Sequence, residues 1–141
     1  MKFEAPYFEP FSFSREQIRK HLANSAKDLQ IARTVHIIDV QFNYAYTALL
    51  KAGIGLLSCH QVRVKPIPGH QSKIIEEMSQ ILKDPDVETL GQVMRAKRNK
   101  DLYGGGAEIT KKECAQYLEF VEKIVEKAAE YAGLLSTCSS G

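Results

Sequence analysis

The sequence predicts an all-α protein: an antiparallel, up-and-down bundle of four main helices plus one shorter helix. Three observations predict it. Apolar residues recur at three- and four-residue spacing in five separate segments. Short stretches of helix breakers divide those segments. No segment alternates with period two, and no Asn-Gly turn is present, so no strand is expected. Helices joined by short loops favour antiparallel neighbours. No internal repeat is visible.

The elements follow in order. Residues 1–13 read as an extended aromatic arm, because Phe3 to Phe13 hold five aromatics and two prolines and proline breaks a helix interior. So many aromatics are expected to lie on the bundle or on a partner subunit. Ser14 opens the bundle, which spans 14–133. It fits an N-cap, with Gln17 as the return arm of a capping box. Ile18, Leu22, Leu29 and Ala32 mark the first helix. The second runs from about Val35 to Cys59, and its wide stripe (Ile38, Phe42, Ala45, Leu49, Ala52, Leu56) suits a central helix.

Pro66, Pro68 and Gly69 make a loop of 63–69. The third, shorter helix covers about His70 to Leu82, with Ile74, Ile75, Met78 and Ile81 inward. Asp84 or Asp86 caps the fourth, from about Val87 to Tyr103, whose Leu90, Val93, Met94 and Lys97 mark one face. Gly104-Gly105-Gly106 stop it. Thr110 and Glu113 form a second capping box, and the fifth helix buries Cys114, Tyr117, Leu118, Val121, Ile124, Val125, Ala128 and Tyr131. Residues 134–141 read as a flexible tail.

Composition narrows the function classes. The 141 residues suit one domain that can bury a core without staples. A net charge of +2 is too small to prove a nucleic-acid partner, so any such argument rests on where the cations sit. Cys59, Cys114 and Cys138 are widely spaced with no Cys-x-x-Cys pair, which predicts reduced thiols and neither zinc nor redox chemistry. The acid and proline in Met1 to Pro6 argue against a secretory leader. No run approaches the roughly 18 apolar residues of a membrane span. The expectation is a soluble cytoplasmic protein with no metal or organic cofactor.

Two stretches are specific. One is Phe42-Asn43-Tyr44-Ala45-Tyr46-Thr47-Ala48-Leu49-Leu50-Lys51-Ala52-Gly53, continuing to His60 and Gly69-His70. The other is Arg95-Ala96-Lys97-Arg98-Asn99-Lys100-Asp101-Leu102-Tyr103-Gly104. Together they resemble the HEPN superfamily, helical bundles of toxin–antitoxin, defence and nucleotidyltransferase-linked systems. The likeness covers Ser14 to about Ala132. It implies a homodimer or partner-bound bundle and, in members that keep the Arg-x4-6-His element, a metal-independent ribonuclease site. Arg98 and Asn99 match that element, but Tyr103 stands where histidine belongs, and no histidine follows His70. Histidine titrates near pH 6.5 and tyrosine near 10, so Tyr103 is a poor base.

Arg98 and Tyr103, five positions apart, point about 140° away from each other on one helix. Unwinding at Gly104 or a two-fold dimer groove would bring them together. Arg95, Lys97, Arg98 and Lys100 form the densest basic cluster, suited to phosphate, or equally to a solvated helix end with Arg98 paired to Asp101 or Glu108. Tyr44 and Tyr46 read as packing residues, and His21 as exposed. His60 and His70 are the only histidines a fold could carry to Arg98.

The leading expectation is a HEPN-like module that binds RNA or a nucleotide. Arg98 would hold phosphate, Asn99 would bond the groove and Tyr103 would stack on a base or bond the ribose. The alternatives are a non-catalytic module that pairs with a nucleotidyltransferase, with Tyr103 as an acceptor of modification, and a ribonuclease using a remote histidine.

Overall fold

The structure, a computed structural model, describes residues 3–103 and 109–139, without the side chains of 101–103 and 135–139. Five helices form: α1 (Arg15–Thr34), α2 (Ile38–Cys59), α3 (His70–Leu82), α4 (Pro85–Tyr103) and α5 (Lys111–Ser139). Two short strands, β1 (Phe8–Pro10) and β2 (Val62–Val64), pair antiparallel with Phe8 opposite Val64 and Pro10 opposite Val62.

The caps stand where the sequence places them. The Ser14 hydroxyl accepts from the Gln17 amide at 3.1 Å, and the Gln17 side chain accepts from the Ser14 amide at 2.8 Å. Thr110 and Glu113 exchange the same two bonds ahead of α5. Such boxes satisfy amides that the first helical turn leaves open. Asp84 opens α4 by accepting from the Asp86 amide at 3.1 Å, and its carboxylate also holds Lys127 at 2.7 Å.

Paired contacts give the direction of each helix. Ser25 reaches the Ala48 carbonyl and Gln41 reaches that of Ala32, so α1 and α2 run oppositely. Cys114 lies by Gln41 and Tyr131 by His60, so α5 runs with α2. Lys97 pairs with Glu113 and Asp84 with Lys127, so α4 opposes α5. Ser72 meets Gln92 while Ser79 meets Asp84, so α3 opposes α4. Helices α2, α3 and α5 therefore share one direction, against α1 and α4.

This corrects the up-and-down expectation at one step, from α2 to α3. Ten residues separate those helices, and an extended chain of that length reaches about 33 Å. That suffices to return from His60 to the level of Tyr46, about 20 Å back along α2. The return segment carries β2, and the N-terminal arm lies on it as β1. The expectation of no strand is corrected here as well. Three residues are too few to show a period of two, and Pro10 masks the rest, since proline is tolerated only where a strand needs no amide. Phe8 is buried, the Arg63 side chain holds Glu9 at 2.6 Å, and Gln61 bonds the Phe13 amide at 2.6 Å.

Central α2 is buried on several sides. Phe42, Ala45, Tyr46, Leu49, Leu56 and Leu57 join Ile74, Ile75, Met78, Val87, Met94, Val121 and Ile124 in one core. Three details differ from expectation. Val93 is 40% exposed, because α4 packs on α3 through Gly91 and buries Val87 and Met94. His21 is half-buried, edge-on to Phe13. Helix α5 runs to Ser139, past the boundary at 133. No helix among the described residues is long and apolar enough to cross a membrane.

Candidate functional site

The site is built around Tyr46, whose side chain lies in the α2 core with its hydroxyl toward α3. The hydroxyl donates to Gln71 Oε1 at 2.8 Å. Burial pushes the Tyr46 hydroxyl far above the ordinary tyrosine range, and the positive charges of Arg95 and Arg98 oppose that shift without cancelling it. The phenol therefore keeps its proton and serves as a hydrogen-bonding group, not a base.

Helix α4 supplies the cations. Gln92 Oε1 accepts from the Ser72 hydroxyl at 3.2 Å and from Arg95 Nε at 2.8 Å, while its amide donates to the Ser72 carbonyl at 3.1 Å. This amide fixes Arg95 to α3 and leaves its terminal guanidinium nitrogens for other acceptors. Arg98 follows one turn later, and Asn99, four positions after Arg95, shares that face. Among the described residues, neither arginine has a carboxylate within ion-pair distance. Asp101 and Glu108, the partners suggested for Arg98, lie outside the described side chains.

The other two cations of the cluster point elsewhere. Lys97 is half-buried and pairs with Glu113 at 3.3 Å, tying α4 to the start of α5. Backbone bonding at Thr110, and then Lys97 itself, hold the Glu113 carboxyl below its usual range. Lys100, three positions beyond Lys97, is exposed and about 140° around the helix from Arg95. The four cations thus divide into an Arg95–Arg98 face, which Asn99 shares, and a Lys97–Lys100 face. The side chain of Tyr103 and all of Gly104, Gly105 and Gly106 lie outside the described residues.

The histidines also separate. His60 lies about 21 Å along α2 from Tyr46 and bonds the Tyr131 hydroxyl at 2.7 Å. Burial lowers its pKa. His70 opens α3 beside Gln71, with Nδ1 at 2.8 Å from the Ile67 carbonyl. A carbonyl only accepts, so Nδ1 carries the proton and Nε2 keeps its lone pair in the neutral ring. Of the two, His70 is the one next in the chain to Gln71, the partner of Tyr46.

Sequence reasoning missed Gln71 and Gln92 and read Tyr46 as packing alone. A usable signal was present: Gln71 precedes Ile74 and Ile75 by three and four positions, on an inward face where an amide needs a partner. No cluster of three metal-ligating side chains occurs among the described residues. Two guanidiniums a turn apart, with an amide beside them, suit bidentate capture of phosphate oxygens. No protein-family model matches the sequence, and neither the curated proteins nor the solved structures yield a match.

Proposed function

We propose that the chain is a HEPN-like module of toxin–antitoxin or defence type that binds RNA or a nucleotide through α4. Arg95 and Arg98 hold phosphate oxygens, Asn99 bonds the backbone or sugar, and Tyr103 stacks on a base or bonds the ribose. The observation that carries this reading is the Arg95–Arg98 pair beside buried Tyr46. Gln92 sets one guanidinium, and no described carboxylate neutralises either. A merely solvated face would not need an arginine anchored through Gln92 to Ser72 on another helix.

Binding without cleavage is the reading the chemistry favours. Tyr46 keeps its proton, His60 is remote, Tyr103 replaces the histidine of the family motif, and His70 is held by the Ile67 carbonyl at the start of α3, off the arginine-bearing helix. A homodimer suits this proposal, because exposed Val93 and Ala96 leave part of α4 uncovered in one chain. The test is fluorescence anisotropy with labelled single-stranded RNA, followed by incubation of the same RNA in EDTA. The expected result is salt-sensitive binding that Arg98→Ala weakens about tenfold, with the RNA intact. Cleavage by the wild type and not by Arg98→Ala would restore a ribonuclease and make His70→Ala and Tyr103→Phe the next variants. No binding at low salt would refute the reading and leave a nucleotidyltransferase-pairing module as the better account.

A further inference from the structure

The far end of the bundle holds a second concave site, separate from Arg98. A cavity of about 680 Å³ opens between the first turns of α1, the end of α2 and the later turns of α5. Ile18 and Leu22 form one wall and Ala129 and Ala132 the other, with Phe13 and Cys59 among the lining groups. The alanines reach less far than the leucines that usually fill a seam between helices, which leaves this space between the described side chains. Burial pushes the Cys59 thiol up to about 11, which keeps it neutral and part of the apolar lining. A second apolar cavity of about 260 Å³ lies on the other side of Phe13, under the β1–β2 ribbon.

The size and chemistry select a ligand. Cavities of roughly 300–1,000 Å³ with mostly apolar walls and a few polar groups are typical of small-molecule sites. Close packing is the rule elsewhere in protein interiors. The charged side chains among the described lining residues are Arg15 and Arg19, both cationic, and neutral Gln61 is the other polar side chain. Arg19 follows Ile18 on α1, about 60° around the helix from Leu22, and is an exposed member of the lining. An aliphatic chain would be attracted by the walls and an anionic head by the guanidinium.

We infer that this cavity binds a single-chain amphiphile with a carboxylate head, its chain between α1 and α5 and its head at Arg19. The inference does not depend on RNA binding, since Cys59 lies about 20 Å along α2 from Tyr46.

Isothermal titration with sodium dodecanoate, below its micelle concentration, tests it beside dodecyltrimethylammonium. The expected result is saturable one-to-one binding of dodecanoate, about tenfold tighter than the cation. Ala132→Leu should weaken dodecanoate about tenfold or more by filling the trough, with the helical circular dichroism unchanged. Ala129→Leu, at an exposed position, replaces it if that variant does not fold. Arg19→Gln should reduce the preference for the anion, since Arg15 stays in the lining, and retain affinity for the chain. Absence of saturable binding, full affinity in a folded Ala132→Leu or Ala129→Leu, or an unchanged preference in Arg19→Gln would each overturn the proposal.

Discussion

Helix α2 meets α3 in two places that are built differently. At Gly53 the contact is apolar and has no room: a Cβ there would stand 2.5 Å from Ile74 Cγ2 and 2.6 Å from Met78 Sδ. Seven residues earlier, Tyr46 reaches α3 through one hydroxyl–amide bond to Gln71. The first contact is set by shape and the second by direction. Burial of apolar side chains accounts for most of the stability at such a seam, and close fit adds the last few kcal/mol. A buried hydrogen bond adds little net energy but selects one arrangement of the groups around it. That is the division expected if Gly53 holds the α3–α4 pair on the bundle and Tyr46 orients the arginine-bearing face.

The sharpest way to break this division is at Gly53. Gly53→Val should lower unfolding free energy by about 3 kcal/mol, at the upper end of overpacking costs, read by urea denaturation. A loss below about 1 kcal/mol would mean that α3 shifts freely, and the proposed positioning would fail with it. Arg98→Ala should do the reverse. It should change stability by less than about 0.5 kcal/mol and cost about 1.4 kcal/mol of RNA affinity, a factor of ten. Tyr46→Phe should lie between them, at about 1 kcal/mol of stability, because Gln71 loses a donor inside the protein. A larger loss would show that the hydroxyl is structural first.

A smaller effect belongs to the opposite end of α2. Burial lowers the pKa of His60, so the folded ring binds its proton less readily than the unfolded one. Protons are then taken up on unfolding below about pH 6.5. The stability due to neutral His60 is full above that pH and declines as pH falls through the lowered folded value. Urea midpoints between pH 7.5 and pH 5 should fall more steeply for the wild type than for His60→Gln. Equal slopes would assign the acid sensitivity to other groups.

Much of the helical framework was legible in the sequence because its signals are local. Both capping boxes and the bounds of α3 at His70 and Leu82 follow from residues within one turn of the helix ends. The direction of α3 was not legible, since it depends on how far the 60–69 segment travels, and breakers announce a loop without its course. The β1–β2 ribbon escaped notice for a similar reason: its pairing joins residues over fifty positions apart, such as Phe8 and Val64. At the candidate site the basic cluster was visible as composition. Its division was not, because it turns on Lys97 meeting Glu113 and on Gln92 tying its neighbour Arg95 to Ser72 on another helix.

The salt dependence of RNA binding reads this division of the cations. The slope of log affinity against log salt counts phosphate contacts, at about 0.7 per contact for single strands. Arg95→Ala and Arg98→Ala should each reduce the slope by about that amount, while Lys97→Ala should leave it unchanged because Glu113 already holds that ammonium. A slope lowered by Lys97→Ala and untouched by the two arginine variants would contradict the division.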